Sequence, residues 1–252
     1  MGRLSGKVAF ITGGEGSVGM ATARRFTAED ARVVLAGVDE DGLRAGVAEL
    51  GADVASHVVA DVTDAAQVAA GVQATMDRHG GIDVVFSNAG ISGVVAPLTD
   101  YPDDVFDRVL AVHVRGTFLV CKHTIPVVRA GGSVIITSSV VGLTAAPGSC
   151  AYATAKHAQV GLMRTLARET AARGIRVNTI HPGPIDNEFQ HAIEMAVTGA
   201  TREEAAKVFD ARIPFGRHAD PDEVARVVLF LAGEESSFIT GGTIPIDGGM
   251  GI

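Results

Sequence analysis

Residues 8–19 read VAFITGGEGSVG, an apolar run followed by a turn that contains four glycines. The run shows no alternation of apolar and polar residues, which predicts a strand buried on both faces. Glycines between a strand and a helix allow a tight turn and bring free N–H groups of the helix N-terminus close to a pyrophosphate. Many glycine-rich turns bind nothing, so the position of this one, at the first strand–helix junction, is what favours a functional interpretation.

Short β-branched runs alternate with longer helical patterns over almost the whole chain. We predict strands at 8–12, 32–36, 57–60, 83–86, 133–137, 176–180 and 243–246. We predict helices near 18–29, 41–50, 64–79, 102–124, 152–173 and 221–232. This alternation predicts βαβ units, and hence a parallel sheet with helices on both faces.

No Pro/Ser-rich linker or repeat of fixed period interrupts the chain, so we predict a single domain over residues 1–252. Residues 186–213 interrupt the alternation of strands and helices. They contain helical patterns at 188–195 and 202–211, inserted before the last helix and strand. A doubly wound enzyme keeps its substrate cover near the strand ends. We therefore predict a helical substrate flap there.

Of the 252 residues, 47% are hydrophobic, enough for a sizeable core. The chain carries 21 Lys plus Arg against 29 Asp plus Glu, a net charge of −8. With no basic cluster, this balance argues against nucleic acid or an acidic membrane surface as partner. The uncharged run 130–155 contains Pro147 and several glycines, and we do not expect it to span a membrane.

Cysteine and histidine usage bears on compartment and chemistry. Cys121 and Cys150 cannot form a disulfide framework, and we expect free thiols in a reducing cytoplasm. Residues 1–7 contain no apolar stretch before the first strand, so no signal peptide is expected. His-Glu-x-x-His and Cys-x-x-Cys motifs are both lacking. We therefore expect a cytoplasmic protein without a metal site.

The end of the second predicted strand is acidic. Residues 35–41 read LAGVDED, no Lys or Arg occurs from 35 to 43, and Glu15 adds a negative charge in the glycine loop. A carboxylate here accepts hydrogen bonds from the hydroxyls of an adenosine ribose and repels a 2′-phosphate. Asp39 is the candidate ribose ligand, which favours NAD over NADP. The alternative is that residues 39–41 only cap the next helix.

Tyr152 and Lys156 are four residues apart on a predicted helix and therefore share one face. A nearby ammonium is expected to lower the phenol pKa from about 10, making the tyrosine a usable general acid or base. Ser139 directly follows the strand 133–137, where its hydroxyl can bind a carbonyl or alkoxide oxygen. The alternatives are a solvated Tyr–Lys pair, and a serine (Ser138 or Ser139) that only caps a turn.

Together these motifs resemble the short-chain dehydrogenase/reductase family, and the match covers nearly all of the chain. The matching stretches are the loop 12–19, residues 61–63, residues 87–90, Ser139 with Tyr152 and Lys156, residues 182–185, and the C-terminal motifs at 239–241 and 247–249. The resemblance implies a Rossmann-like doubly wound seven-stranded parallel sheet with helices on both faces. It also implies hydride transfer to or from nicotinamide, and usually a homotetramer.

Carried over by position, the resemblance implies that Tyr152 donates or accepts the proton, that Lys156 binds the nicotinamide ribose and that Ser139 holds the substrate oxygen. Other positions would surround the dinucleotide. They are Gly13, Ser17, Val18 and Gly19 in the loop, Asp39 at the second strand, Asp61 and Val62 at the adenine, Asn88 and Gly90 near the ribose, and Pro182, Gly183, Ile185 and Asn187 around the nicotinamide.

Four positions depart from the family pattern. Ser17 stands in place of Gly, Gly37 in place of the Asp of NAD-specific members, and Asn187 in place of a Thr that meets the carboxamide. His113 replaces the Asn that supports a proton-relay water. Its imidazole either titrates in the relay near neutral pH or packs in the helix, with only its backbone serving the relay.

The resemblance also implies a substrate pocket that is largely apolar. Its walls would be residues 91–95, residues 141–143, Cys150, and the flap residues Phe189, Ile193, Met195 and Phe209. Phe189, Ile193 and Val197 mark one apolar helix face, which alternatively only packs on the domain. The pocket predicts an uncharged, fairly apolar secondary alcohol or ketone, cyclic or aliphatic, as substrate.

The motifs and the charge bear on three candidate functions. The first is an NAD(H)-dependent alcohol dehydrogenase or ketone reductase. An NADPH-dependent 3-ketoacyl-carrier-protein reductase would need basic groups near the 2′-phosphate and a basic surface for the acidic carrier, and the charge disfavours it. A non-catalytic dinucleotide sensor would not need Ser139, Tyr152 and Lys156 together.

Overall fold

The computed structural model describes all 252 residues. Seven strands form one parallel sheet in the order β3-β2-β1-β4-β5-β6-β7. They are β1 (Val8–Thr12), β2 (Arg32–Gly37), β3 (Ala55–Val59), β4 (Ile82–Ser87), β5 (Val128–Thr137), β6 (Arg176–Pro182) and β7 (Thr243–Ile246). The strand order reverses between β1 and β4, which opens a crevice at their carboxyl ends. The predicted doubly wound sheet is confirmed.

Nine α-helices cover the sheet. They are α1 (Ser17–Ala28), α2 (Glu40–Leu50), α3 (Ala65–His79), α4 (Asp103–Leu110), α5 (Gly116–Thr124), α6 (Cys150–Thr170), α7 (Glu188–Thr198), α8 (Arg202–Asp210) and α9 (Pro221–Ala232). Successive residues of β1 point to opposite faces. Ile11 packs with Phe26 of α1 and Val228 of α9, whereas Phe10 packs in the cluster that holds Met163 of α6.

Several predicted boundaries differ from the structure, and the largest difference is the start of β5, which lies at Val128 instead of residue 133. β3 begins at Ala55, two residues before the predicted start, and α6 begins at Cys150. The predicted helix 102–124 is interrupted by a π-helical turn, Ala111–Arg115, between α4 and α5. Such turns insert an extra residue and frequently occur at functional sites. None of the helices combines the length and the apolar character that crossing a membrane would require.

Candidate active site

A cavity of about 1030 Å³ opens at the carboxyl edge of the sheet. Its walls come from the segments that follow strands β1 to β6, and from α7. Ligands of doubly wound sheets bind at this edge, beside the point where strand order reverses. The volume lies at the upper end of the range of small-molecule sites, about 300–1,000 Å³, and leaves room for an extended ligand.

The glycine loop presents the uncapped N-terminus of α1 to this cavity. Gly16 occupies the cap position without a side-chain hydrogen bond, and no acidic residue lies in the first turn. The N–H groups of Ser17, Val18 and Gly19 are therefore left to bind an anion. A Cβ at position 19 would lie 2.2 Å from the Gly13 carbonyl oxygen, so the turn requires glycine. This cradle fits a pyrophosphate.

Two of the departures from the family pattern contact each other. The Ser17 hydroxyl accepts a 3.0 Å hydrogen bond from Asn187 Nδ2. Asn187 also caps α7, where its Oδ1 accepts from Gln190 N at 2.8 Å. The pair therefore links the glycine loop to the first turn of the flap.

Asp39 has a different place from the one expected. It is exposed and caps α2, with its Oδ1 accepting from Gly42 N at 3.2 Å. The residues that reach the cavity at the end of β2 are Gly37 and Val38, with Glu15 beside them. The structure therefore favours the alternative expectation for Asp39, in which its carboxylate caps the helix.

Asn88 ties three strand ends together. Its backbone N–H donates to Thr12 Oγ1 at 3.0 Å, and its Nδ2 donates to the Gly13 carbonyl at 3.4 Å. Its Oδ1 accepts from Thr137 Oγ1 at 3.0 Å. Both ends of the amide are engaged, so Asn88 fixes the glycine loop to β4 and β5 at the floor of the cavity.

Most of the other expected cofactor positions also line the cavity. Those that line it are Gly13, Ser17, Val18, Asp61, Val62, Asn88, Gly90, Pro182, Gly183, Ile185 and Asn187. Gly19 lies behind the loop, against Gly13. Asp61 holds its own turn, since its Oδ1 accepts from both the N–H and the hydroxyl of Thr63 at 2.8 Å.

Ser139, Tyr152 and Lys156 line the same cavity. Tyr152 and Lys156 lie one turn apart on α6, with Lys156 Nζ 5.2 Å from the centre of the tyrosine ring. Lys156 is only 3% exposed, and its Nζ donates to the Thr137 carbonyl at 2.7 Å. The end of β5 thus positions the ammonium beneath the phenol.

The two neighbouring serines have different surroundings. Ser138 is buried, and its hydroxyl donates to the Lys156 carbonyl at 3.0 Å, which makes it structural. Ser139 faces the cavity and caps a short 3₁₀ turn, where its Oγ accepts from Val141 N at 3.3 Å. An accepted bond leaves the Ser139 hydroxyl proton free to donate to another oxygen.

Burial has the largest effect on the pKa values of Tyr152 and Lys156. Burial raises the pKa of Tyr152 to about 12, and its contact with the Ser139 hydroxyl acts in the opposite direction. Burial lowers the pKa of Lys156 to about 7. Sequence reasoning expected the ammonium to lower the phenol pKa, but the loss of hydration has the larger effect. Tyr152 therefore keeps its proton at neutral pH, which suits a proton donor.

His113 lies in the π-helical turn and is 1% exposed. Its Nε2 lies 2.7 Å from the Ile91 carbonyl oxygen, and its ring meets the Tyr152 ring edge-on at 5.3 Å. Burial, with a smaller contribution from the Lys156 charge, lowers the pKa of His113 to about 3. An imidazole with this pKa does not titrate near neutral pH. Of the two roles expected for His113, the structure therefore favours a neutral histidine that packs in the helix.

Sequence reasoning missed two buried side chains that hold the site in place. His181 on β6 contacts the Ser139 carbonyl through Nδ1 and the Thr179 hydroxyl through Nε2, both at 2.8 Å. Gln159 on α6 donates to the His113 carbonyl at 3.2 Å. Their positions in the sequence could have identified them. Gln159 lies one turn after Lys156, and His181 lies at the carboxyl end of β6.

The apolar face of the flap covers the phenol. Phe189, Ile193 and Val197 all line the cavity, and the Phe189 ring lies 6.4 Å from the Tyr152 ring. Phe209 of α8 and residues 91–95 complete this apolar end. The face therefore does more than pack on the domain, because it lines the cavity beside the ring of Tyr152.

Several expected wall residues lie elsewhere. Leu143 and Met195 are 42% and 39% exposed and do not line the cavity. Gly142 packs against Ser138, and Cys150 packs in a small cluster with Tyr101 and Val109. The sequence analysis assigned these residues to the pocket because they are close along the chain to other predicted pocket residues. In the structure they do not line the cavity.

The fold and site define a class: oxidoreductases that bind a nicotinamide dinucleotide on a Rossmann-like sheet. Comparison with known proteins agrees. A family model described as Enoyl-(Acyl carrier protein) reductase matches residues 13–251. The chain belongs to the short-chain dehydrogenase/reductase family.

Similar proteins extend over the whole chain. A 3-oxoacyl-[acyl-carrier-protein] reductase of Thermotoga maritima is 38% identical over 253 residues, 98% of this chain and 99% of that protein. Levodione reductase of Leifsonia aquatica is 38% identical over 254 residues, 98% of this chain and 95% of that protein.

Among solved structures, levodione reductase superposes with a TM-score of 0.95, 37% identity and 98% coverage of both chains. NAD⁺-bound xylitol dehydrogenase gives a TM-score of 0.90 and 33% identity, covering 98% of this chain and 99% of the other. A blue fluorescent protein in complex with NADPH gives a TM-score of 0.90 and 32% identity, covering 99% of this chain and 100% of the other. Similar proteins therefore include complexes with either dinucleotide.

Proposed function

We propose that this protein is an NAD(H)-dependent oxidoreductase that interconverts a secondary alcohol and a ketone, with Tyr152 as general acid and base. One observation carries the proposal. Ser139, Tyr152 and Lys156 line a single cavity that also contains the glycine loop at the N-terminus of α1. A proton donor and a site for an anionic dinucleotide are thereby placed at the same strand edge.

Bound nicotinamide would supply the hydride acceptor or donor. The chain itself handles the proton. In ketone reduction, Tyr152 donates its phenolic proton to the substrate oxygen, while Ser139 donates a hydrogen bond to the same oxygen. In alcohol oxidation, the phenolate of Tyr152 accepts the proton of the alcohol, while Ser139 still donates a hydrogen bond to the same oxygen. Lys156, fixed by the Thr137 carbonyl, stabilises the phenolate that is left after proton transfer.

The dinucleotide would bind along the residues that line the cavity. Ser17 and Val18 would hold the pyrophosphate, Asp61 and Val62 would flank the adenine, and Ile185 and Asn187 would meet the nicotinamide. We infer NAD as the cofactor because no Lys or Arg occurs between residues 35 and 43, where a 2′-phosphate would need a cation.

The substrate end of the cavity favours a small, uncharged, apolar alcohol or ketone. The flap contributes Phe189, Ile193 and Val197, and the facing loop contributes Val94 and Val95. Two of the similar proteins are named for small molecules, levodione and xylitol.

A second candidate is a 3-oxoacyl-carrier-protein reductase, favoured by the likeness to the Thermotoga maritima protein. The net charge of −8 disfavours it, since an acidic carrier protein would be repelled. A non-catalytic dinucleotide sensor is disfavoured by the complete Ser–Tyr–Lys trio.

The test is a cofactor and substrate screen on the purified protein, following the absorbance of reduced nicotinamide. We expect turnover of apolar cyclic or aliphatic ketones with NADH, and of the matching alcohols with NAD⁺. Reaction confined to acyl thioesters with NADPH would establish the second candidate instead. Binding of nicotinamide nucleotides without turnover of any alcohol, ketone or thioester would favour the sensor.

A further inference from the structure

The carboxylate of Glu15 fills the space above Gly37, the last residue of β2. A Cβ built on Gly37 would lie 2.0 Å from Glu15 Oε2 and 2.5 Å from its carboxyl carbon. A side chain at position 37 would collide with this carboxylate, so position 37 requires glycine. The carboxyl group at the end of β2 is supplied by Glu15 of the glycine loop instead.

The chain holds this carboxylate in place. The backbone N–H of Val38 donates to Glu15 Oε1 at 3.3 Å, and Gly14 N donates to the Ala36 carbonyl at 3.1 Å, which joins the loop to β2. Glu15 Oε2 is buried and has no hydrogen-bond partner within the chain. A buried carboxylate oxygen without a donor is costly, so this arrangement points to a donor supplied from outside.

The cavity shows where that donor would come from. Glu15, Gly37 and Val38 form one part of its wall, together with Asp61 and Val62. The hydroxyls of a ribose at this wall are donors, and the terminal torsion of a glutamate rotates easily enough to bring its oxygen to them. A 2′-phosphate at the same place would meet the carboxylate as a like charge.

Resting on the proposed nicotinamide cofactor, we propose that Glu15 is the residue that selects the unphosphorylated adenosine ribose. It replaces a side chain at position 37 and takes the role that sequence reasoning gave to Asp39. Since Asp39 is occupied as the cap of α2, the two acidic residues have separable functions: Glu15 selects the cofactor and Asp39 stabilises a helix.

The test is direct binding of NADH and NADPH, measured as dissociation constants by nicotinamide fluorescence, so that turnover is not needed. We expect the unaltered protein to prefer NADH. Glu15→Gln keeps the size of the side chain and the acceptor for Val38 but removes the charge. It should shift the NADPH-to-NADH affinity ratio toward NADPH by about tenfold or more.

Two further variants sharpen the result. The double variant Glu15→Ser with Gly37→Asp moves the carboxylate back to the strand and should restore the NADH preference that Glu15→Ser alone loses. Asp39→Asn, which retains a good helix cap, is the matched control and should leave the ratio unchanged.

The proposal is overturned if Glu15→Gln leaves the ratio unchanged, if Asp39→Asn shifts it equally, or if the unaltered protein prefers NADPH. The first two outcomes would leave the proposed function intact, and a preference for NADPH would overturn its cofactor but not its alcohol–ketone chemistry. Failure of the unaltered protein to bind either nucleotide would overturn the proposed function and this inference together.

Discussion

The ammonium nitrogen of Lys156 lies 5.2 Å from the centre of the Tyr152 ring and donates to the Thr137 carbonyl at 2.7 Å. The carbonyl belongs to the last residue of β5, and Ser139 follows two residues later. One strand end therefore sets the positions of the hydroxyl, the phenol and the ammonium. The sheet, rather than a flexible loop, determines the geometry on which the proposed proton transfer depends.

Replacing Tyr152 by Phe removes the proposed proton donor and leaves the ring in place. We expect turnover to fall by about 10²–10⁴-fold, the usual contribution of general acid–base catalysis. NADH binding should be retained. Tyr101→Phe is the matched control, because it removes another buried phenol outside the Ser–Tyr–Lys trio. Turnover by the Tyr152 variant at the rate of the Tyr101 variant would refute the proposed mechanism.

Lys156→Met should abolish turnover and stabilise the fold. Burial lowers the pKa of Lys156 to about 7 from 10.5, so its charged form is destabilising in the folded chain. Removal of the buried charge should raise the free energy of unfolding by about 2–4 kcal/mol near neutral pH. Loss of the hydrogen bond to Thr137 should lower it by about 1 kcal/mol.

The pH dependence of this effect has a definite sign. Between about pH 7 and 10.5 the unfolded chain binds a proton that folded Lys156 has lost, so the stability of the unaltered protein rises with pH. The advantage of the variant should therefore shrink over that range in urea denaturation. Lys122→Met, at an exposed site on α5, should change stability by less than about 0.5 kcal/mol. An advantage that grows with pH would contradict the assignment.

His113→Asn should leave the pH–rate profile unchanged. The pKa of His113 is about 3, so its imidazole is neutral throughout the range in which ordinary histidines titrate. An asparagine amide can still donate to the Ile91 carbonyl, and we expect activity within about tenfold of the unaltered protein. Surface His157→Asn provides the control. Loss of an inflection near neutral pH in the His113 variant alone would restore the titrating hypothesis.

Sequence patterns predicted the parts of the site that lie at strand ends. Ser139 and the glycine loop directly follow buried strands, and Tyr152 and Lys156 share a helix face, so short-range spacing places them. The sequence could not decide between the two roles of Asp39, because whether a carboxylate caps a helix or faces a cavity depends on one turn of backbone. Glu15 reaches the end of β2 only through the tertiary contact with Gly37, which no local pattern encodes.

The residues that anchor the predicted flap (α7 and α8) could not be identified from the sequence either. Glu194 of α7 is fully buried, and its Oε1 lies 2.5 Å from His218 Nε2. His218 Nδ1 also contacts Asp210 Oδ1 of α8 at 2.8 Å, and His191 contacts Asp186 at 2.8 Å. These residues are spread over more than thirty positions of the chain and show no shared motif. The tertiary packing of α7, α8 and the segment before α9 brings them together.

This cluster predicts a flap that is more firmly anchored at acidic pH. Burial alone would lower the pKa of His218, but its contacts with Glu194 and Asp210 outweigh burial and raise it above the ordinary value. A raised pKa contributes stability that is complete below the unfolded value, about 6.5, and is lost as pH rises through the folded value.

His218→Gln keeps a donor for Glu194 but removes the charge. We expect it to lower the free energy of unfolding by about 1–2 kcal/mol near pH 6, and by less at a higher pH, near 9, because the stability that a raised pKa contributes is lost as pH rises. Urea denaturation at the two pH values measures the difference. His57→Gln on the edge strand β3 controls for loss of an imidazole elsewhere. An equal or larger loss at the higher pH would show that the charge of His218 does not anchor the flap, and the Glu194 carboxylate would then need another source of compensation.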